Sequence, residues 1–98
     1  MIAQIFSLGR IAANSDLMDA LHAADPERAP ESVVFDLVQR HMAGDWGDMD
    51  EVDCEANELA LELELRVVST FTTDKGVRLS ITTKWDRSHT ITSLDGGY

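Results

Sequence analysis

The segment 41–65 constrains this chain most, because it combines the clearest helical pattern in the sequence with an unbroken excess of negative charge. Four apolar residues in it recur at steps of four, three and four: Val52, Ala56, Leu59 and Leu63. That spacing places all four side chains on one face of an α-helix. The sequence therefore predicts a helix from Asp48 to Leu65, with these four side chains as its buried stripe.

A second stripe on this helix is made of glutamates, each one residue before an apolar position: Glu51, Glu55, Glu58 and Glu62. The stripe is ~16 Å long at ~1.5 Å per residue, and like charges four residues apart oppose a helix by roughly 0.2–0.5 kcal/mol per pair. Helix capping explains the acids at two positions, since Asp48 can be the N-cap and Glu51 its capping-box partner. No such structural role explains the acids at the other positions, which are Glu55, Glu58, Glu62 and Glu64. The stripe is therefore either a solvated face, which charge runs usually are, or a binding surface.

Two further helices precede this segment. The first, SDLMDALHAAD, is capped by Asn14 or Ser15, and the second has Pro30 in its first turn. Their predicted buried residues are Leu17, Met18 and Leu21 in the first helix and Val33, Val34, Leu37, Val38, His41 and Met42 in the second. Gly44 lies just past the second helix, and Trp46 is predicted to fold back and lock the second helix to the third.

The strands are predicted from alternation of apolar and polar residues. Ile2–Leu8 reads as a strand that Gly9 ends, and residues 67–73, 77–84 and 88–94 read as three more. In the second of these three, we expect Leu79 and Ile81 to point inward and Arg78 and Ser80 outward. The predicted fold is a single α+β domain over residues 1–98: a strand, three helices, then a three-stranded antiparallel meander packed on the helices.

The charge balance restricts the possible partners. Eight Lys and Arg residues stand against 18 Asp and Glu, giving a net charge of −10. Phosphate backbones and anionic lipids would repel such a chain, so we expect a basic partner and neither direct nucleic-acid nor membrane binding. The start of the chain lacks the pattern of a signal peptide, and the one cysteine allows no internal disulfide. Together these features favour the bacterial cytoplasm.

The sequence contains no motif that indicates a catalytic or metal site. A calcium loop counted from Asp48 fails, because Val52 and Asp53 stand where a ligand and a glycine are needed. The candidate zinc ligands lack ligand spacing: His22, His41, His89 and Cys54. Cys54 is expected to pack beside Leu61 and Leu65, and His41 to be half-buried at the edge of its helix. We expect a non-enzymatic protein without cofactor or metal. Arg78, Lys84 and Arg87 could form a small basic patch on the meander, but the surrounding acids would outweigh it.

Two stretches resemble a known group of proteins. HMAGDWGDMDEVD follows the pattern H-x-x-GDWGD-x-D-x-x-D, and the later RVVS and TKWDRSHT follow R-hydrophobic-x-S and T-x-x-DRS-x-T. These patterns resemble small uncharacterised proteins of bacterial plasmids, phages and integrative elements, and the resemblance covers Arg40–Ile91. It implies a mobile-element setting, where small acidic proteins often act against host defence, anti-CRISPR proteins among them. The step to function is an analogy.

Two function hypotheses follow. In the first, the chain is an acidic inhibitor that occupies the basic nucleic-acid groove of a host defence complex. The residues predicted to bind are Asp45, Asp48, Glu51, Asp53, Glu55, Glu58, Glu62 and Glu64. In the second, the chain is an accessory or regulatory domain of a mobile element. It would form homodimers through the Thr-rich outer face of the meander, and the acidic helix would be only a solvated face.

Overall fold

A computed structural model describes residues 4–94 of the chain. The elements in order are β1 (Arg10–Ala13), α1 (Ser15–Ala24), α2 (Pro30–Met42), α3 (Glu51–Leu63), β2 (Val67–Thr72), β3 (Arg78–Thr83) and β4 (His89–Leu94). The strands form one sheet in the order β1-β4-β3-β2, in which β1 runs parallel to β4 and the other neighbours are antiparallel. The predicted α+β class is confirmed, but the sheet is mixed and four-stranded.

The first strand differs from the prediction. Ile2 and Ala3 lie outside the described residues, and residues 4–9 form no strand. The chain instead meets the sheet at Gly9, which has a φ of 63° and lies so close to Ser88 that a Cβ would overlap the Ser88 carbonyl oxygen. Only glycine adopts both this conformation and this close approach without strain. The next residue, Arg10, then donates its amide to Ser88 O at 2.9 Å and begins β1.

Helices α1 and α2 pack on the inner face of the sheet as predicted. The main core contains residues from both helices, the sheet and the N-terminal segment: Leu8, Leu17, Leu21, Val33, Val34, Val38, Phe71, Leu79 and Ile81. Pro30 lies in the first turn of α2, and Gly44 follows the C-cap Ala43. Met18, Leu37 and Met42 are partly buried against this core. His41 was predicted to be half-buried, but it is fully buried because hydroxyl groups of the sheet satisfy both ring nitrogens.

The alternation of β3 is confirmed, but its outer face is less exposed than expected. Leu79 and Ile81 are fully buried, and Arg78 is exposed. Ser80 lies on the outer face with Arg78, as predicted, yet only 2% of it is exposed. It lies on the middle strand between Thr70 of β2 and Ser93 of β4, so that its short side chain is enclosed by its neighbours across the sheet.

The predicted buried stripe of α3 is wrong. Val52, Leu59 and Leu63 are 73%, 53% and 59% exposed, and Ala56 is exposed as well. The helix turns Asn57 and Ala60 inward instead, and Ala60 packs in a second cluster with Trp46 and Val67. Cys54 and Leu61 are partly buried against this cluster, whereas Leu65, predicted beside them, is 49% exposed.

Hydrogen bonds to β2 explain this orientation of α3. Asn57 donates through Nδ2 to Val68 O at 2.6 Å and accepts from Val68 N at 3.1 Å, so its amide satisfies the edge of the sheet. The N-cap is Asp50, which accepts from Asp53 N at 2.8 Å, and the predicted cap Asp48 lies in the preceding loop. There the Asp48 amide donates to Thr70 O at 2.6 Å, which keeps Asp48 beside β2 and out of the helix. Across residues 4–94, no helix is both long and apolar enough to span a bilayer.

Candidate functional site

The solvent-facing side of α3 carries the residues predicted to bind a partner. At about 100° per residue, the helix presents three stripes roughly a third of a turn apart. One stripe faces the sheet, the second holds Glu51, Glu55, Glu58 and Glu62, and the third holds Val52, Leu59 and Leu63. All residues of the second and third stripes are exposed. We call these seven residues the α3 surface.

Three of the glutamates border one shallow depression. Glu55, Glu58 and Glu62 line it together with Leu59. Glu58 also accepts a hydrogen bond from Trp46 Nε1 at 3.2 Å, so part of its role is to hold the second core cluster. Glu51 lies one helical turn before Glu55 on the same stripe. The structure therefore brings four of the eight predicted binding residues together and adds an apolar stripe beside them.

The other four predicted acids lie off this stripe. Asp45 accepts from Arg40 Nε at 2.7 Å and from Gly47 N at 3.0 Å. Burial raises the pKa of Asp45, but these hydrogen bonds and the Arg40 charge outweigh it and lower that pKa overall. Asp48 lies 3.9 Å from Arg78, and Asp53 sits in the first turn of α3. Glu64 is the left-handed C-cap, with a φ of 56°.

The GDWGD segment builds the fold around the buried His41. Trp46 is 5% exposed, and its ring meets that of His41 edge-on at 5.9 Å. Gly47 has a φ of 69°, and a Cβ there would overlap Thr70 O, because Trp46 and Asp48 exchange backbone hydrogen bonds with Thr70. The prediction that Trp46 joins α2 to α3 is supported by its contacts with both helices. These residues have structural roles.

The DRS segment also has a structural role, and it draws Arg87 away from the other two residues of the predicted basic patch. Asp86 accepts from Ser88 N at 3.1 Å and from Ser88 Oγ at 2.6 Å, which forms a tight turn between β3 and β4. Arg87 reaches through this turn to Leu65 O at 2.6 Å and Ala60 O at 3.3 Å, where it satisfies carbonyl groups at the end of α3. Arg87 therefore does not form a surface patch with Arg78 and Lys84.

A different basic surface lies on the outer face of the sheet, which the second hypothesis uses as a dimer interface, but its combination of residues was not predicted from the sequence. We call it the sheet surface; it consists of Arg66, Lys84, Trp85, His89 and Ile91. Trp85 is 59% exposed and Ile91 44%. Part of this surface could have been predicted from the alternation in β3 and β4, which places Lys84 and His89 outward beside Ile91. Arg66 could not, because it comes from the end of the α3–β2 connection.

The candidate metal ligands of the described residues are not grouped, and the pKa of the free cysteine is raised. Between residues 4 and 94, no group of three or more His, Cys, Asp or Glu side chains is placed to hold a metal ion. The pKa of Cys54 is raised by partial burial and then by the surrounding charges of Asp50, Asp53, Glu58 and Glu51. A thiol in such an environment keeps its proton at neutral pH and is a poor nucleophile. The α3 surface and the sheet surface are thus the features to which a function can be attached.

No protein-family model, no curated protein and no solved structure matches this chain.

Proposed function

We propose that the chain is a non-enzymatic inhibitor from a mobile genetic element, acting in the bacterial cytoplasm. Its α3 surface would occupy a basic, nucleic-acid-binding groove of a host defence complex, in the manner of an anti-CRISPR protein. One observation carries the proposal: three large apolar side chains remain exposed on α3 directly beside four glutamates.

The apolar stripe supplies the affinity in this proposal. Fully burying a Val or Leu side chain contributes about 1.5–3 kcal/mol, and Val52, Leu59 and Leu63 are each more than half exposed. Residues spaced like these on one helix are the usual anchors when a helix lies in a groove. A helix that only kept the protein in solution would have no need of this stripe.

The glutamate stripe supplies specificity and association rate. Oriented negative charge steers a protein toward a positive groove and disfavours other partners. A groove that holds a phosphate backbone is lined by Lys and Arg, so it is complementary to Glu51, Glu55 and Glu62. The mobile-element setting comes from the resemblance of the GDWGD and DRS segments and supports a target in host defence.

Phage plating tests this proposal. The chain is expressed in strains that represent each CRISPR type, and a targeted phage is plated on them. We expect plating to be restored on one type. Glu51→Gln, Glu55→Gln and Glu62→Gln combined, or Leu59→Ser with Leu63→Ser, should abolish the rescue. Glu58 is left unchanged, because it is hydrogen-bonded to Trp46.

The matched control removes the same amount of negative charge elsewhere. Asp19→Asn, Glu27→Gln and Asp74→Asn combined alter three exposed acids away from α3. This control should rescue plating as well as the unmodified chain. Unchanged plating on every strain, or equal loss in the control and the glutamate triple variant, would refute the proposal.

A further inference from the structure

The sheet surface has the opposite character to most of this acidic molecule. Across residues 4–94, Arg28, Arg40 and Arg78 pair with acids and Arg87 binds carbonyl groups. Arg66 and Lys84, like Arg10 and Lys75, form no ion pair with any residue in that range. Two of the eight Lys and Arg residues thus lie beside the exposed Trp85 without an ion pair to any described residue.

The composition of this surface defines what it can bind. Trp85 and Ile91 offer apolar area, and Arg66, Lys84 and His89 offer positive charge or hydrogen-bond donors around it. Asp86 borders the surface and interacts electrostatically with Lys84, while Oδ1 of its carboxylate also accepts from Ser88 N and Ser88 Oγ. The complementary ligand is therefore a protein surface that presents carboxylates next to apolar side chains.

The α3 surface of the same chain has this composition. Glu55 and Glu62 lie beside Leu59 and Leu63, so that both the charges and the apolar side chains find counterparts on the sheet surface. We propose that two copies of this chain associate, with the α3 surface of each copy docked on the sheet surface of the other, so that a second copy and a host groove compete for the α3 surface.

The position of Arg66 is compatible with a two-fold arrangement. Helix α3 ends at Leu63, its C-cap is Glu64, and Arg66 of the sheet surface comes two residues after that cap. The two surfaces thus adjoin along the chain. Two-fold interfaces use the same patch on both subunits, and a symmetry axis near this border makes both contacts at once.

The net charge of −10 does not prevent this association at physiological ionic strength. The Debye length there is about 8 Å, so the repulsion between distant acids of the two copies is largely screened. Charge pairs formed at the contact are closer than this length and partly desolvated, so they are screened less. Burial of Trp85, Ile91, Leu59 and Leu63 adds a favourable term that salt does not weaken.

Sedimentation velocity with charge-reversed variants tests the proposal without any host partner. We expect the unmodified chain to sediment as a concentration-dependent equilibrium of one and two copies. One variant carries Arg66→Glu and Lys84→Glu, the other Glu55→Lys and Glu62→Lys. Each alone should self-associate about tenfold or more weakly, because reversed charges face like charges. An equimolar mixture should form dimers again, because each variant then meets the opposite sign at both contacts.

Controls separate this interface from a general charge effect. Arg10→Glu with Lys75→Glu makes the same change in net charge at exposed positions outside both surfaces, and it should leave the dimer unchanged. Trp85→Ala should weaken the dimer while far-UV circular dichroism stays the same. Three results would overturn the proposal: a monomeric chain at all concentrations, a dimer that neither charge variant weakens, or a mixture of folded variants that stays monomeric.

Discussion

The buried imidazole of His41 should make the stability of this protein depend on pH. Its two nitrogens contact hydroxyl groups of the sheet, Nδ1 with Ser69 Oγ and Nε2 with Thr83 Oγ1 at 2.9 Å. Thr83 in turn lies 2.8 Å from Thr90 Oγ1, and Thr90 donates to Leu8 O at 2.7 Å. The chain of hydroxyls therefore ends at a carbonyl oxygen, which can only accept.

This end point fixes the direction of every proton in the network. Thr90 donates its only hydroxyl proton to Leu8 O, so Thr90 must accept from Thr83. Thr83 has then donated its own proton and must accept from His41 Nε2. Nδ1 is then free of a proton and accepts from Ser69. The network is satisfied by a neutral imidazole protonated on Nε2, and a second proton on Nδ1 would displace the Ser69 donor.

Burial, and to a lesser extent the nearby positive charge of Arg87, lower the pKa of His41 from 6.5 to about 4. The unfolded chain binds a proton at higher pH than the folded chain, so acid favours unfolding. The stability contribution is complete above pH 6.5 and is lost as the pH falls toward 4. By linkage, the free energy of unfolding should decrease by about 2 kcal/mol between pH 7 and pH 5 from this group alone.

Other shifted groups act outside this pH window. The pKa values of Asp45 and Asp86 are lowered from 3.8, so their stabilising contributions are lost only at more acidic pH. Urea unfolding at pH 7, 6 and 5 should show the loss in the unmodified chain and a much smaller loss in His41→Gln. His22→Gln, which changes an exposed histidine, should keep the full loss. An equal pH dependence in His41→Gln, or an imidazole NMR titration of His41 centred near 6.5, would refute the reasoning.

Three substitutions test the joint between the helices and the sheet by urea or thermal unfolding. Trp46→Ala should cost about 3–5 kcal/mol, because it deletes a buried aromatic ring; a cost below about 1 kcal/mol would mean that the ring is exposed. Gly47→Ala should cost about 2 kcal/mol or more, since it adds left-handed strain and overlap with Thr70 O. Arg87→Ala should cost about 1–3 kcal/mol of unfolding free energy, because it leaves Leu65 O and the end of α3 without a charged donor. Arg87→Lys should recover only part of this cost, because one ammonium group cannot reproduce the two hydrogen bonds of the planar guanidinium.

The first two helices were predictable because each has a single apolar stripe, which packs in the main core against the sheet. Leu17 and Leu21 of α1 and Val34 and Val38 of α2 all enter the main core. The inner positions of β3 followed from alternation for the same reason. Strand β1 could not be found in this way, since all four of its residues are exposed. Its partner β4 lies at the other end of the chain, and a parallel edge pairing leaves no local pattern.

The burial of Ser80 was not predicted, because alternation reports only which face a side chain points to. Exposure on that face depends on the neighbours, and Ser80 lies on the middle strand between short hydroxyl side chains of β2 and β4. The sheet surface was missed for a related reason. Arg66 and Trp85 come from connections outside the strands, and only the pairing of β3 with β4 brings Lys84 beside His89 and Ile91.

The error on α3 is the most informative, because it concerns the candidate site itself. Hydrophobic periodicity assumes that the most apolar stripe of a helix faces the core. In α3 the contact with the sheet is made by Ala60, which is small, and by Asn57, whose amide replaces a missing strand neighbour at the β2 edge. From sequence alone, Asn57 is indistinguishable from a solvated residue. An anchor of this kind uses only about a third of the helix circumference, so both the glutamate stripe and the apolar stripe remain available to another molecule. The acidic stripe of the candidate site could therefore be predicted from the sequence, whereas the exposure of the apolar stripe became visible only once the anchoring residues were known.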